Sequence, residues 1–332
     1  MATDWKRANT DWLHAARFGT MTHFLAEKPI RESGTSFTVD DWDRLVDAFD
    51  VERFAMQVAE TGSRYHIFTV GQNSGFFCSP NSVYDAIVGT PSRLSRRDLI
   101  GELAEALAAH GVRTIAYLSS CAPCHHREAV EALGFTPSWD FSNNGIAPGS
   151  YLRAPGTDDR LSMALRNWEA IVAQWSRNWG ASVSGWWFDG CYYVDKLYRH
   201  DDAPNFRTLA EAAKAGNPDS LVAFNTGVHQ PVVSASEYED YTAGELDDFW
   251  VGNGNSPLSR SINGAQLHVL TYLGEWWGRG PVRINTDLSI GFTRHVNEKG
   301  GAVTWDVPIG LAGTIPEEFA KELASIGRAA TT

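Results

Sequence analysis

One aspartate lies where a sequence can place reactive chemistry, in the run GWWFDG from Gly185 to Gly190. Asp189 directly follows an apolar, strand-like run and precedes a glycine, so its carboxylate is expected at the end of a strand. The aromatic side chains before it would exclude water and shape a site of the size of a sugar. An ordinary Asp-Gly turn in a loop is the alternative explanation for the same residues.

Glycoside hydrolysis needs a second carboxyl group, because one group acts as the acid and the other as the nucleophile or base. Glu245 is one candidate, in a loop after the short strand-like run 232–235, although a solvated acidic loop would have the same composition. Glu275 is the other candidate. It follows an apolar run and lies beside Trp276 and Trp277, an environment that favours a raised carboxyl pKa.

A third cluster, Cys121, Cys124, His125 and His126, has spacing that resembles a zinc site. The chain has no second CxxC motif, and adjacent histidines rarely reach the same ion. We therefore expect a loop that lines the site and carries reduced thiols, with zinc binding as the alternative.

Short apolar runs alternate with amphipathic helical windows along the whole chain, and this alternation is typical of parallel βαβ units. Strands are predicted at 17–23, 65–70, 112–118, 183–188, 221–225, 267–273 and 302–307, and helices at 41–61 with a break near Asp50, 95–110 with Ser95 as N-cap, 159–179, 206–215 and 316–326. Seven or eight such units favour one (β/α)8 barrel domain over residues 1–332.

In such a barrel the chemistry lies where strands end, so His23, Asn225 and the segments after the second and third strands are candidates for the site. No GxGxxG motif follows the first strand and no GxxxxGK(S/T) motif occurs, so we expect no nucleotide cofactor. Only one of Trp186 and Trp187 can face the barrel axis, because neighbours in a strand point to opposite sides.

The composition excludes several other classes. With 28 Lys and Arg against 40 Asp and Glu, the net charge is −12, and no basic stripe is present to bind a nucleic acid. No apolar run is long enough to span a membrane. The four cysteines and the absence of a visible signal peptide lead us to expect a cytoplasmic protein with reduced thiols. The 13 tryptophans fit either a large aromatic core or a sugar platform.

In sum, the order of these motifs resembles the catalytic barrel of glycoside hydrolase family 29, the α-L-fucosidases. The matching segments are 18–23 (FG…H), 65–76, 97–103 (RDLIGEL), 117–119, 186–190 (WFDG-type), 240–245, and 300–308 with 313–318 (GTIPEE). The resemblance implies that Asp189 is the nucleophile and that Glu245 is the acid/base.

Two departures from this family stand out. The family has a Lys-His-His-Asp-Gly-Phe run whose histidines bind sugar hydroxyls, whereas this chain has Gln72 and Asn73 in that region. The C-terminal β-sandwich common in the family is not expected here. Neutral amides still bind hydroxyls, but in another geometry. The resemblance therefore implies the barrel fold and the two carboxylates more strongly than it implies which sugar is bound.

We therefore predict a retaining, exo-acting glycosidase similar to α-L-fucosidases, without a cofactor or metal, that acts on a carbohydrate. The predicted substrate-binding residues are His23, Gln72, Asn73, Tyr117, Trp187, Asn225 and Trp276, and the catalytic candidates are Asp189, Glu245 and Glu275. Two alternatives stay open: a glycosidase for a sugar other than fucose, and an inactive barrel that only binds carbohydrate.

Overall fold

The computed structural model describes residues 4–33, 37–135, 139–140, 145–146, 160–248 and 259–330. Its strands are β1 (Phe18–Thr22), β2 (Tyr65–Thr69), β3 (Arg113–Ser119), β4 (Trp139–Asp140), β5 (Gly145–Ile146), β6 (Val183–Asp189), β7 (Leu221–Phe224), β8 (Ser261–Ile262), β9 (Ala265–Gln266), β10 (His268–Tyr272) and β11 (Ala302–Val307). Seven of them form one sheet in the order β10-β11-β1-β2-β3-β6-β7, and every neighbouring pair in it is parallel.

Helices follow the strands along the chain. They are α1 (Asp11–Ala16), α2 (Glu27–Ser33), α3 (Val39–Asp47), α4 (Val51–Glu60), α5 (Ser82–Val88), α6 (Leu99–Ala109), α7 (Arg127–Leu133), α8 (Ser162–Trp179), α9 (Cys191–Tyr198), α10 (Phe206–Ala213), α11 (Thr286–Glu298) and α12 (Glu317–Ala330). The predicted α/β barrel fold is confirmed. In the described part of the chain, no helix is long and apolar enough to cross a membrane.

The gap between the edge strands β7 and β10 is filled by the irregular segment 240–246. The backbone N–H of Asp240 donates to the carbonyl of Val222 on β7 at 2.7 Å. On the other side, the N–H of Leu246 donates to the carbonyl of Leu270 at 2.8 Å, and the N–H of Leu270 donates to Gly244 at 2.8 Å. This segment therefore occupies the sixth strand position along the chain and places Glu245 at the mouth of the barrel.

The strand-like run expected at 232–235 is not a strand in the structure, and that prediction was wrong. The paired segment lies a few residues later, and Gly244 has φ +61° within it. A left-handed residue interrupts an extended strand, so this position carries isolated bridges rather than a regular ladder.

Ser95 is also not the N-cap of its helix. The helix α6 begins at Leu99, and the Asp98 carboxylate accepts the N–H of Gly101 at 3.1 Å. The hydroxyl of Ser95 instead donates to the carbonyl of Arg97 at 2.7 Å. A carboxylate at the N-cap satisfies one of the unpaired N–H groups of the first turn.

Because side chains alternate along β6, its two tryptophans lie on opposite faces of the sheet, as predicted. Trp187 belongs to the apolar cluster inside the barrel and stacks on Tyr117, with ring centroids 5.4 Å apart. Trp186 belongs to the layer between the sheet and the helices, where it packs on Trp179 of α8 at 5.4 Å. Most of the aromatic excess lies in this outer layer and is structural.

Candidate active site

A cavity of about 760 Å³ opens at the carboxyl ends of the strands. Its wall includes eight of the ten residues predicted for the site: His23, Gln72, Asn73, Tyr117, Trp187, Asp189, Glu245 and Trp276. The chain brings them together because parallel strands of a barrel all end at the same edge, whatever their separation in sequence.

Asp189, at the end of β6, is surrounded by three hydrogen-bond donors. Its Oδ1 accepts the N–H of Gly190 at 2.8 Å and the side-chain amide of Asn225 at 2.9 Å. Its Oδ2 accepts the hydroxyl of Tyr117. These donors hold the carboxylate in one orientation at the wall of the cavity.

Asn225 connects this carboxylate with the second one. Its Nδ2 atom also donates to Oε2 of Glu245 at 2.6 Å. The backbone of Asn225 is held by β6, because its N–H donates to the Phe188 carbonyl at 2.8 Å. Although Asn225 lies behind the main cavity wall, it determines how far apart Asp189 and Glu245 are.

Burial, together with the negative charge of Asp189, raises the pKa of Glu245 to about 7. Near neutral pH, Glu245 is therefore present in both its protonated and its ionised form. A carboxyl group with this property can donate a proton in one step and accept one in the next.

Tyr117 lies between the carboxylate of Asp189 and the side of the cavity that carries Gln72. Burial, together with the nearby charge of Asp189, raises the pKa of its hydroxyl well above the usual value, so this group stays protonated. The hydroxyl donates to Asp189 and accepts the side-chain amide of Gln72. The amide oxygen of Gln72 is thus left to accept a hydroxyl of a ligand.

His23 has a partner that the sequence reasoning missed. Its Nδ1 lies 2.7 Å from Oδ1 of the fully buried Asp306, whose Oδ2 accepts the N–H of Gly278 at 2.5 Å. Burial alone lowers the pKa of His23, but the charge and hydrogen bond of Asp306 and the charges of Asp189 and Glu245 raise it overall. Its place in the sequence could have indicated Asp306, because it is the next-to-last residue of β11 and strand ends line the mouth of a barrel.

Glu275 is not among the residues that line the cavity. Its side chain is exposed and lies against Gly280, although the turn 276–280 directly after it does line the cavity. Its expected role as an acid is therefore not supported by its position. Trp276 does line the mouth of the cavity, with 48% of its surface exposed.

The four residues of the zinc-like cluster lie in different surroundings. Cys121 and Cys124 are buried, and burial raises the pKa of Cys124 to about 12. His126 is buried near the Tyr84 hydroxyl, whereas His125 lines the cavity. Among the described residues, no group of three or more His, Cys, Asp or Glu side chains is arranged to hold a metal ion.

No family model and no curated protein matches the sequence. Solved structures do match. An endo-fucoidan hydrolase from glycoside hydrolase family 107 is 14% identical, with a TM-score of 0.68 over 97% of this chain and 93% of that one. Alpha-L-fucosidase AlfC from Lactobacillus casei is 17% identical, with a TM-score of 0.62 over 97% of this chain and 98% of that one.

A bacterial fucosidase solved with an inhibitor is 16% identical, with a TM-score of 0.63 over 98% of this chain and 74% of that one. At these identities the likeness concerns the fold. The chain is thus similar in fold to a family 107 endo-fucoidan hydrolase and to fucosidases, and membership in family 29 stays a prediction.

Proposed function

We propose that this chain is a retaining glycoside hydrolase, with Asp189 as nucleophile and Glu245 as acid/base in one catalytic domain over residues 1–332. One observation carries the proposal: a single nitrogen of Asn225 lies 2.9 Å from one carboxylate and 2.6 Å from the other. Their nearer oxygens are therefore no more than about 5.5 Å apart, which fits the short spacing of retaining enzymes rather than the longer spacing of inverting ones.

In the first step, a carboxylate oxygen of Asp189 attacks the anomeric carbon, and the bond from that carbon to the leaving oxygen breaks. Protonated Glu245 gives its proton to the leaving oxygen. The sugar is then held as an ester of Asp189. The hydroxyl of Tyr117 and the amide of Asn225, which both donate to the carboxylate, position Asp189 for this attack.

In the second step, ionised Glu245 takes a proton from water as the water oxygen attacks the same carbon. The ester bond to Asp189 breaks, and Asp189 leaves as a carboxylate. Two displacements return the original anomeric configuration, and Glu245 is protonated again for the next cycle.

The proposed substrate is an α-L-fucoside or a closely related glycoside, cleaved from a chain end. The sequence resemblance and the fold shared with fucosidases support fucose, and His23, Gln72 and Asn73 supply polar groups for its hydroxyls. The placement of Glu245 within reach of Asp189 favours an enzyme over a barrel that only binds carbohydrate.

A panel of 4-nitrophenyl glycosides tests the proposal, with α-L-fucoside, α-L-galactoside and β-L-arabinoside as members. We expect hydrolysis of at least one of them and a loss of more than about 10³-fold in kcat for Asp189→Asn. Asp219→Asn, at an exposed turn, is the matched control and should keep full activity. Normal turnover by Asp189→Asn would disprove the assignment.

A further inference from the structure

One side of the cavity mouth carries three cationic side chains. Lys28 and Arg31 lie one turn apart on α2, which follows β1, and Arg279 lies in the loop that follows β10. All three are exposed and line the cavity. Only β11 separates β1 from β10 in the sheet, so these residues share one quadrant of the mouth, away from Asp189 on β6.

Among the described residues, no ion pair joins these three cations to a carboxylate. Within the described residues, ion pairs engage Arg44, Arg96, Arg97, Arg127, Arg160, Arg199, Arg207, Arg260, Lys214 and Lys321, but none includes the three cations at the mouth. Glu27 and Glu318 also line the cavity, and neither is paired with them. The N–H of Ser74 donates to Glu27 at 2.7 Å.

The cavity is larger than one sugar ring requires. Its volume of about 760 Å³ would hold roughly 25 water molecules at about 30 Å³ each, several times the space of one ring. Trp276 and Tyr192 line its mouth with 48% and 46% of their surfaces exposed, and they are the two aromatic residues among the large exposed hydrophobic side chains of the described chain. Exposed aromatic rings provide stacking surfaces for further sugar units.

We propose that the cavity binds an anionic saccharide whose sulfate ester or carboxylate group contacts Lys28, Arg31 and Arg279. The proposal rests on the glycosidase function above and names its substrate class. In a chain of net charge −12, a local group of cations that no described carboxylate pairs with would attract an anion to this side of the cavity. Guanidinium groups also match the paired oxygens of sulfate and carboxylate.

Binding is measured by calorimetry in the Asp189→Asn background, so that no probe is consumed. The probes are fucosyllactose trisaccharides in three forms: neutral, sulfated, and oxidised to uronates. We expect at least one anionic form to bind tenfold or more tighter than the neutral form at about 10 mM salt, and this preference to shrink at about 300 mM salt. Preference for the sulfated form identifies a sulfate ester as the ligand group, and preference for the uronate identifies a carboxylate.

The double variant Arg31→Gln/Arg279→Gln should lose the preference while it still binds the neutral probe. Arg294→Gln/Lys299→Gln removes the same charge from exposed positions off the cavity and should keep the preference. Equal binding of charged and neutral probes, no binding of any anionic probe, or an unchanged preference in the Arg31/Arg279 variant would overturn the proposal. None of these readouts depends on turnover, so a failure of the glycosidase assignment shows separately, in the aryl glycoside panel.

Discussion

At the scale of single residues, the site depends on Asn225, whose side-chain nitrogen lies between Asp189 and Glu245. Two carboxyl groups held this close cannot both ionise easily, because each charge opposes the other. Burial and the nearby charge of Asp189 raise the pKa of Glu245 to about 7, so Glu245 holds a proton at and below neutral pH. This division of roles is what a nucleophile and an acid require.

The pH dependence of the first step follows from Glu245. With a pKa of about 7, Glu245 is protonated below that pH and loses its proton above it. For a substrate with a poor leaving group, kcat/KM should therefore fall as the pH rises through about 7. Glu245→Gln should lower kcat/KM by about 10²- to 10⁴-fold and remove this alkaline limb. If kcat/KM of Glu245→Gln still falls as the pH rises through about 7, another group causes this fall.

Asp306 is predicted to hold His23 in position. In Asp306→Asn the favourable charge is lost while burial remains, so the pKa of His23 should fall. Titration of the histidine ring by NMR measures this fall. Since a hydrogen bond to a charged group contributes about 1.5–3 kcal/mol, KM should rise by roughly tenfold or more. An unchanged His23 pKa would contradict the assignment.

Residue types at strand ends predicted Asp189, Glu245, Tyr117 and His23 correctly as neighbours in the cavity, because their position depends only on strand order. Glu275 is exposed and does not line the cavity, although the turn 276–280 directly after it does, because the sequence does not show which side chains of a turn point into a cavity. Asp306 was missed because it lies within an apolar run and reads as part of the core.

At the scale of elements, the sixth strand position is the feature of the fold that the sequence predicted least well. The segment 240–246 has few apolar residues and contains Gly244, so it lacks the pattern of a buried strand. Its pairing depends on backbone hydrogen bonds to β7 and β10 that no side-chain pattern reports. The regular strands were predictable because their apolar runs are buried on both faces.

Gly244→Ala tests this segment. Gly244 has φ +61°, and an added Cβ would lie 2.0 Å from the carbonyl oxygen of His268, so the segment must move away from β10. We expect a loss of about 2–4 kcal/mol in the free energy of unfolding, measured in urea, and a loss of activity through Glu245.

Gly291→Ala is the matched control for that change. Gly291 lies inside α11, and nothing lies within 4 Å of an added Cβ there. Its replacement by alanine should raise the free energy of unfolding by about 1 kcal/mol through helix propensity alone. A neutral effect of Gly244→Ala would show that the segment is not part of the closed barrel.

At the scale of the whole molecule, the packed layers bury all four cysteines, Cys78, Cys121, Cys124 and Cys191. Burial also raises the pKa of each thiol, so the reactive thiolate is scarce. A disulfide reagent should therefore label the native chain only as fast as it unfolds, whereas an exposed Ser182→Cys control should add one rapid phase. Rapid labelling of the native chain, or zinc protection of two thiols, would contradict this packing.

The fold class was predictable because strand and helix periods alternate along the chain and a barrel places successive strands side by side. The mouth was less predictable, since its wall joins segments that are distant in sequence, such as α2, which carries Arg31, and the loop that carries Arg279. Only the order of the strands in the sheet brings those segments into one quadrant.

The central claim is that Asp189 forms a covalent bond with the sugar, and trapping that bond tests it most directly. A 2-deoxy-2-fluoro glycosyl fluoride of the best sugar in the panel forms the ester but slows its hydrolysis. Peptide mass spectrometry should then find one added sugar on the peptide that contains Asp189, and none in Asp189→Asn. An active chain that carries the sugar on another carboxylate, or that releases an inverted product without any adduct, would contradict the account.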